Sequence, residues 1–92
     1  MIEKIHLSIL QEISRSGSLT AAAGKLHLTQ SALSHSIKKL EQQAGTRLWL
    51  KDGRNIRLTE AGNYLLEQAN RLLPQFERID DTLRQFAGNE KG

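Results

Sequence analysis

The segment GSLTAAAGKLHLTQSALSHSIKKLEQQAG, residues 17–45, carries the signals of two helices joined by a short turn. Gly17 can take the left-handed conformation that ends a preceding helix, and the hydroxyl of Ser18 can cap the helix that follows. This helix is predicted from Leu19 to about Leu26, and its three consecutive alanines let another helix approach closely. The first half of the segment therefore predicts a short helix with a close helical neighbour.

A longer helix follows a three-residue connection at residues 27–29. Thr29 is its predicted N-cap, and Gly45 is its predicted end. Its apolar residues recur at helical spacing, at Ala32, Leu33, Ile37, Leu40 and Ala44. A short helix, a turn and a longer helix form the helix-turn-helix pattern, in which the second helix reads DNA.

The flanking sequence predicts a third helix and a hairpin. Upstream, a helix ending at Ser16-Gly17 has an apolar stripe of Ile5, Ile9, Leu10 and Ile13. Downstream, residues 48–51 and 56–58 favour strands, and residues 52–55, DGRN, favour a tight turn. Trp49 is predicted to be a core residue of this hairpin. The fold class is therefore mainly α, a winged helix-turn-helix of three helices and a two-stranded wing over residues 1–58.

A long helix is predicted from residue 59 to residue 88, with Thr59 as its cap and Glu60 favoured in its first turn. Its apolar residues form an unbroken heptad pattern: Leu65, Ala69, Leu72, Phe76, Ile79, Leu83 and Phe86. Such a stripe could also pack on the helix's own domain. We favour a dimer interface, because a small domain has little surface left to cover a helix of roughly 40 Å.

Two further features of this helix are expected from the sequence. Pro74 lies away from the heptad seam and predicts a kink, since it removes one hydrogen bond and crowds the carbonyl of Asn70. Residues 89–92 are predicted to form a disordered tail.

Length and composition exclude several classes of protein. The 92 residues suffice for one domain, and the absence of cysteine excludes disulfides and thiolate metal sites. No apolar run is long enough for a signal peptide or a membrane span, so we expect a cytoplasmic protein without membrane contact. His6, His27 and His35 form no ligand pattern, and there is no glycine-rich phosphate loop. We expect no enzyme activity, no metal and no cofactor.

Positive charge is concentrated in the middle third of the chain. The net charge is +3 overall, +1 over residues 1–28, +4 over residues 29–58 and −2 over residues 59–92. A basic block of this kind suits a nucleic-acid surface joined to an arm with another role, although a solvated basic face would look the same.

The first turns of the longer helix hold the candidate base contacts, Gln30, Ser31, Ala32, Ser34 and His35. A glutamine amide can pair with adenine, serine can serve several bases, and an alanine methyl can touch a thymine methyl. Each residue alone could be ordinary surface. Together, on the exposed side of the second helix of this motif, they favour contact with DNA.

A second set of residues is predicted to contact DNA phosphates: Ser18, Thr20, Lys25, Thr29 and Lys38. Arg54, at the tip of the predicted wing, is the candidate for a minor groove, where arginine is drawn to narrow A·T tracts. A simple phosphate contact is the alternative for this arginine.

These stretches resemble the N-terminal domain of LysR-type bacterial transcription regulators. The matching stretches cover nearly the whole chain in the family's order: GSLTAAA (17–23), LHLTQSALSH (26–35), IKKLE (37–41), GTRLW (45–49) and LTEAG (58–62). Within the family, TQSALSH (29–35) and ANRLLPQ (69–75) are similar to the subfamily that regulates methionine biosynthesis.

The resemblance implies a homodimer, often a tetramer, that binds double-stranded DNA at interrupted inverted repeats near promoters, with antiparallel linker helices. It implies base contacts by Gln30, Ser31, Ser34 and His35, and a minor-groove contact by Arg54. Many relatives have proline where this chain has Ser31-Ala32 and arginine where it has His35, which leaves the base preferences open.

The family also carries a C-terminal effector-binding domain, which would follow residue 92, so we expect this chain to be a fragment. The subfamily would imply homocysteine as the small-molecule effector, bound only by that missing domain. The rival hypothesis is a winged helix that binds protein, in which the heptad helix is the main feature and the basic face is incidental.

Overall fold

The computed structural model describes residues 1–53 and 55–90, which form four helices and one two-stranded antiparallel sheet. The elements in chain order are α1 (Lys4–Ser16), α2 (Leu19–Lys25), α3 (Gln30–Ala44), β1 (Trp49–Asp52), β2 (Asn55–Leu58) and α4 (Glu60–Glu90). The predicted fold class, a winged helix-turn-helix followed by a long helix, is confirmed.

The helix ends lie where the local chemistry placed them. Ser18 Oγ accepts a hydrogen bond from the backbone N–H of Ala21 at 3.3 Å, and Thr29 Oγ1 accepts one from Ala32 at 3.0 Å. Gly17 and Gly45 end α1 and α3 with φ of 69° and 73°, a region that favours glycine. Capping therefore sets where α2 and α3 begin and where α1 and α3 end.

The main core lies between the first three helices and the base of the hairpin. Its buried residues come from α1, α2, α3 and β1: Ile9, Ile13, Ala22, Ala23, Leu33, Ile37 and Trp49. Three positions of the predicted stripes are corrected, because Ile5, Ala32 and Ala44 are exposed. They lie at the edges of their stripes, where the neighbouring helix no longer covers them.

The first half of α4 packs on α1 rather than standing free. Leu7 of α1 meets Ala69 and Leu73, both buried, and Leu65 packs half-buried beside them. The predicted dimer stripe is corrected here, since Ala69 is completely buried inside its own chain. The cause is a second apolar row on α4, at residues 62, 65, 69 and 73. This row shares residues 65 and 69 with the predicted heptad pattern, so the pattern alone did not separate the two.

The later apolar residues of α4 are exposed and are called the α4 seam: Leu72, Phe76, Ile79, Leu83 and Phe86. Leu72 and Phe76 are both 40% exposed, and Ile79, Leu83 and Phe86 are 58%, 61% and 60% exposed. The first half of α4 is thus part of the core, whereas its second half exposes a row of apolar side chains.

The end of α4 differs from the prediction. The helix continues to Glu90, so residues 89 and 90 are helical and not part of a disordered tail, and residues 91 and 92 lie outside the described residues. A glycine such as Gly88 weakens a helix by about 1 kcal/mol relative to alanine but does not end it. Pro74 lies inside the helix. In the described ranges, no helix has both the length and the hydropathy needed to cross a membrane.

Candidate nucleic-acid interface

The outward face of α3 is polar along its whole length. Ser31, His35, Lys38 and Gln42 recur every three or four residues, and all four are exposed. Leu33, Ile37 and Leu40 are buried on the opposite side of the helix. A helix with one buried apolar face and one continuous polar face presents hydrogen-bonding groups to a groove of matching width.

The structure places the predicted base contacts on or beside this face. Gln30, Ser31, Ala32 and His35 are exposed, and Ser34 is half-buried at the edge nearer the wing. Gln42 was missed by the sequence reasoning, which stopped at Lys38. Its spacing of four residues from Lys38 and seven from His35 could have identified it.

Gln30 is held by a neighbour on α2. Its Nε2 donates a hydrogen bond of 2.8 Å to Thr20 Oγ1, across the turn between the two helices. The bond engages one amide hydrogen and leaves Oε1 and the other hydrogen available. The side chain therefore leaves α3 in a defined direction, and Thr20, predicted as a phosphate contact, has a partner inside the protein.

The other predicted phosphate contacts fall into two groups. The hydroxyl oxygens of Ser18 and Thr29 accept the capping bonds of α2 and α3, so both side chains are engaged within the fold. Lys25 and Lys38 are exposed. Of these four residues, the two lysines present exposed cationic side chains, which suit contact with an anionic partner.

The wing is a hairpin of four paired positions. Trp49 pairs with Leu58 at its base, and Asp52 pairs with Asn55 at its tip. Arg54, the predicted minor-groove residue, is outside the described residues. The paired tip nevertheless confirms the position of the turn predicted from residues 52–55.

A groove of about 700 Å³ separates α3 from the wing. Ser34, Lys38 and Gln42 line it from α3, and Arg47 and Lys51 line it from the other side, with Trp49 also in its wall. Lys38, Arg47 and Lys51 are exposed. Three cations around one groove form a surface suited to an anionic chain such as a phosphodiester backbone.

Glu41 also lines this groove, but its carboxylate is nearly buried and is bonded to groups of the protein. Its side chain is 10% exposed and its Oε2 lies 3.3 Å from Arg47 Nε. The same oxygen accepts hydrogen bonds from the backbone N–H groups of Leu48 at 2.7 Å and Trp49 at 3.4 Å. The carboxylate is therefore compensated by protein donors and does not face the ligand side as a free negative charge.

On the other flank of α3 lies a smaller cavity of about 300 Å³. It is lined by His35 and Lys39 of α3 and by Glu3 and His6 near the start of α1. His6 is buried, and burial lowers the pKa of its imidazole, with Glu3 opposing the shift. Within the described residues, no three histidine or acidic side chains come together as a metal-binding group.

Comparison with known sequences identifies the family. Residues 5–63 match the family described as bacterial regulatory helix-turn-helix protein, lysR family. The HTH-type transcriptional regulator MetR of Salmonella typhimurium is 51% identical over 78 residues, which cover 85% of this chain and 25% of that protein. MetR of Haemophilus influenzae is 40% identical over 91 residues, 99% of this chain and 28% of that protein. The chain thus spans about a quarter of these relatives' length.

Solved structures agree with the sequence comparison. The protein in the crystal structure of the CbnR_DBD-DNA complex is 32% identical, with a TM-score of 0.81 over 94% of this chain and 99% of that one. The protein in the BenM_DBD/catB site 1 DNA complex is 28% identical, with a TM-score of 0.84 over 94% and 96%. The chain therefore belongs to the lysR family of bacterial regulatory helix-turn-helix proteins.

Proposed function

We propose that this chain is the DNA-binding part of a transcription regulator and that it binds double-stranded DNA in a sequence-specific way. The observation that carries the proposal is the polar outward face of α3, bordered by a basic groove beside the wing. The major groove of B-DNA, about 12 Å wide, admits a helix with this face forward. Two relatives solved in complexes with DNA, CbnR_DBD and BenM_DBD, support the proposal.

In this proposal the first turns of α3 read bases and the cations hold the backbone. Gln30 and Ser31 present an amide and a hydroxyl, which can pair with base edges in the major groove. Lys38 and Lys51 lie where phosphates would pass between α3 and the wing, and they supply affinity without sequence preference. Arg54 keeps its predicted role in the adjacent minor groove.

The α4 seam is proposed to pair with the same seam of a second copy. It exposes five large apolar residues in heptad order. Leu72 and Phe76 lie beside the contact with α1, where Lys4 Nζ is 5.6 Å from the centre of the Phe76 ring, and the other three lie beyond it. A helix that keeps such a row in water would gain about 25 cal/mol for each Å² that a partner covers. Residues 1–58 would then form the reading unit, and residues from 59 onward would form the dimer arm.

The remaining predictions concern the longer protein. Two copies related by a two-fold axis would read an interrupted inverted repeat, with the spacing set by the arm. A tetramer, an effector and its binding domain would involve residues outside this chain. A regulator of bacterial transcription with this role would work in the cytoplasm.

A selection of bound sequences from random duplex DNA tests the base-reading role. The wild-type chain should recover one symmetric pair of half-sites. Gln30→Ala should relax one base position and weaken specific binding by about 1–3 kcal/mol, because the paired amide is lost. Gln43→Ala is the matched control, since Gln43 is exposed on the same helix but lies on another face. Recovery of the same sequence by wild type and Gln30→Ala would refute the assignment.

The phosphate role is tested by the salt dependence of binding. Lys38→Gln should weaken binding to all sequences alike and reduce the salt slope by about one, because one fewer counterion is released. Arg84→Gln removes an equal charge from the exposed part of α4 and should leave the slope unchanged. A wild-type slope near zero would favour the rival function, a module that binds protein.

The dimer is tested by sedimentation. Leu83→Glu places a charge in the α4 seam and should give a monomer, because the carboxylate would be buried without a partner. Gln85→Glu adds the same charge two residues away, on the opposite face of the helix, and should remain a dimer. An unchanged dimer with Leu83→Glu would place the interface elsewhere.

A further inference from the structure

Glu41 joins the base-reading helix to the wing. It lies on the edge of α3 that faces the groove, seven residues after Ser34 and three after Lys38. Its Oε2 accepts from the backbone N–H groups of Leu48 and Trp49, which lie immediately before and at the start of β1. One carboxylate oxygen on α3 therefore fixes the position where the wing begins.

The carbonyl side of the same segment is held by the start of α4. Thr59 Oγ1 donates to the carbonyl oxygen of Arg47 at 2.6 Å, and the Thr59 N–H donates to that of Leu48 at 3.0 Å. Arg47 Nη2 also donates to the carbonyl oxygen of Trp49 at 3.3 Å. The N–H groups of Leu48 and Trp49 are thus tied to α3, and the carbonyl groups of residues 47 and 48 are tied to Thr59, immediately before α4.

The donors on this segment explain why a carboxylate is needed. Two backbone N–H groups and a guanidinium converge on one oxygen, and bonds of this charge-assisted kind are stronger than neutral ones. A glutamine in the same place would offer a less basic oxygen, and its NH₂ group would add donors where donors already crowd.

We propose that Glu41 is a positioning residue for DNA recognition: it does not touch DNA, but it holds the wing at a fixed offset from α3. This inference rests on the proposed DNA-binding function. Base contacts by α3 and flanking contacts by the wing would then be made in one register. If the wing were loosened, its contacts with DNA would no longer be coupled to those of α3. Each wing contact would then have to offset the entropy lost when the wing is ordered.

The experiment compares two duplexes and two glutamate variants. One duplex is the sequence selected by the wild-type chain, and the other lacks the outer base pairs that the wing protects from hydroxyl radicals. Trimming should weaken wild-type binding roughly tenfold, an effect of about the size of one lost base-pair contact. With Glu41→Gln, trimming should weaken binding less than about threefold, while affinity for the trimmed duplex stays near that of wild type.

Glu67→Gln is the matched control, because it removes one exposed negative charge from α4, outside α3 and the wing. It should show the full trimming effect. A second measurement needs no DNA: the amide hydrogens of Leu48 and Trp49 should exchange faster in Glu41→Gln and at the wild-type rate in Glu67→Gln, as expected when their acceptor is weakened.

The outcomes separate positioning from stability. An equal loss of affinity for both duplexes, or an unchanged trimming effect, would overturn the proposal. If circular dichroism shows that Glu41→Gln does not fold, Glu41→Asp takes its place, since it keeps the charge and shortens the reach. If neither variant folds, Glu41 is a residue of the fold and the proposal fails. If the wild-type chain selects no sequence, the proposed function fails. The exchange measurement would still test whether Glu41 holds the N–H groups of Leu48 and Trp49.

Discussion

Two amphipathic helices of this chain use their faces in opposite ways. In α3 the large apolar residues Leu33, Ile37 and Leu40 are buried, and the face that remains outside is mainly polar. In the later half of α4 it is the apolar face that stays outside, with Ile79 and Leu83 about 60% exposed. The exposed faces of the two helices therefore suit partners of different chemistry.

The difference follows from the chemistry of what each face would meet. Base edges and phosphates offer hydrogen bonds and charge, so a polar face on α3 loses nothing while it is free in water. An apolar row on α4 is unfavourable in water and becomes favourable only against another apolar surface. The polar face points to DNA and the apolar seam to a second protein surface.

The strongest test of this comparison is to truncate one apolar residue in each helix. Ile37→Ala should lower the free energy of unfolding by about 2–5 kcal/mol, because it leaves a cavity in a completely buried site. Leu83→Ala should change it by less than about 0.5 kcal/mol in the monomer, because that residue is 61% exposed. Urea unfolding at protein concentrations below the dimer range measures both, and equal losses would contradict the comparison.

A second test concerns the start of α4, where the helix lies against the base of the wing. Gly62→Ala should destabilise the chain by about 1–3 kcal/mol, because the added methyl would overlap the carbonyl group of Leu48. Gly24→Ala, in α2, adds the same methyl into open space and should be neutral or stabilising by up to about 1 kcal/mol. Thermal unfolding of the two variants makes the comparison, and a stable Gly62→Ala would show that α4 does not begin tightly against the wing.

A third test concerns the hydrogen bond between Thr20 and Gln30, at the polar face of α3. Thr20→Val removes the acceptor for Gln30 and should weaken specific binding by about 0.5–1.5 kcal/mol, because the amide loses its direction. Thr20→Ser keeps the hydroxyl and should resemble wild type. The salt slope decides the mechanism: it should stay unchanged for positioning, whereas a smaller slope would make Thr20 a phosphate contact, as the sequence alone suggested.

The subtlest test concerns the start of α1, beside the flank of α3. His6 Nδ1 accepts a hydrogen bond of 2.9 Å from the Glu3 N–H, which requires an unprotonated nitrogen. Burial lowers the pKa of His6 below 6.5, so the unfolded chain takes up a proton at a higher pH than the folded chain. Stability should therefore fall as pH decreases below 6.5 and level off once the folded chain is also protonated.

The matched variant for this effect is His6→Gln, whose amide oxygen can still accept from Glu3. Chemical unfolding between pH 7.5 and pH 5 (about the range in which an ordinary histidine titrates) should show a smaller loss of stability than in wild type. The same loss in both proteins would mean that another group is responsible.

Local chemistry made much of the fold predictable. Ser18 and Thr29 predict the starts of α2 and α3, because a capping hydroxyl accepts a hydrogen bond from the backbone N–H three residues later. The role of Ala69 was not predictable in this way. Two apolar rows overlap on α4, and only the position of α1 decides which of them is covered.

The candidate site was predictable in part. The outward face of α3 follows from helical spacing, and so does Gln42 once the whole helix is considered. The role of Glu41 was not predictable from the sequence. Its partners are mainly backbone N–H groups of residues 48 and 49, which every residue type except proline carries and which no sequence pattern reveals.

The length of α4 has a geometric consequence for the proposed dimer. The helix has 31 residues, and residues 74–90, beyond its buried contact with α1, form a lever of roughly 26 Å. A tilt of about 7° where this lever leaves α1 moves its far end by about 3 Å, close to the roughly 3.4 Å rise of one base pair. In the proposed dimer, small angular errors at this point would become whole steps along the DNA, so the packing of Leu7 against Ala69 and Leu73 would set how reproducible the reach of each copy is.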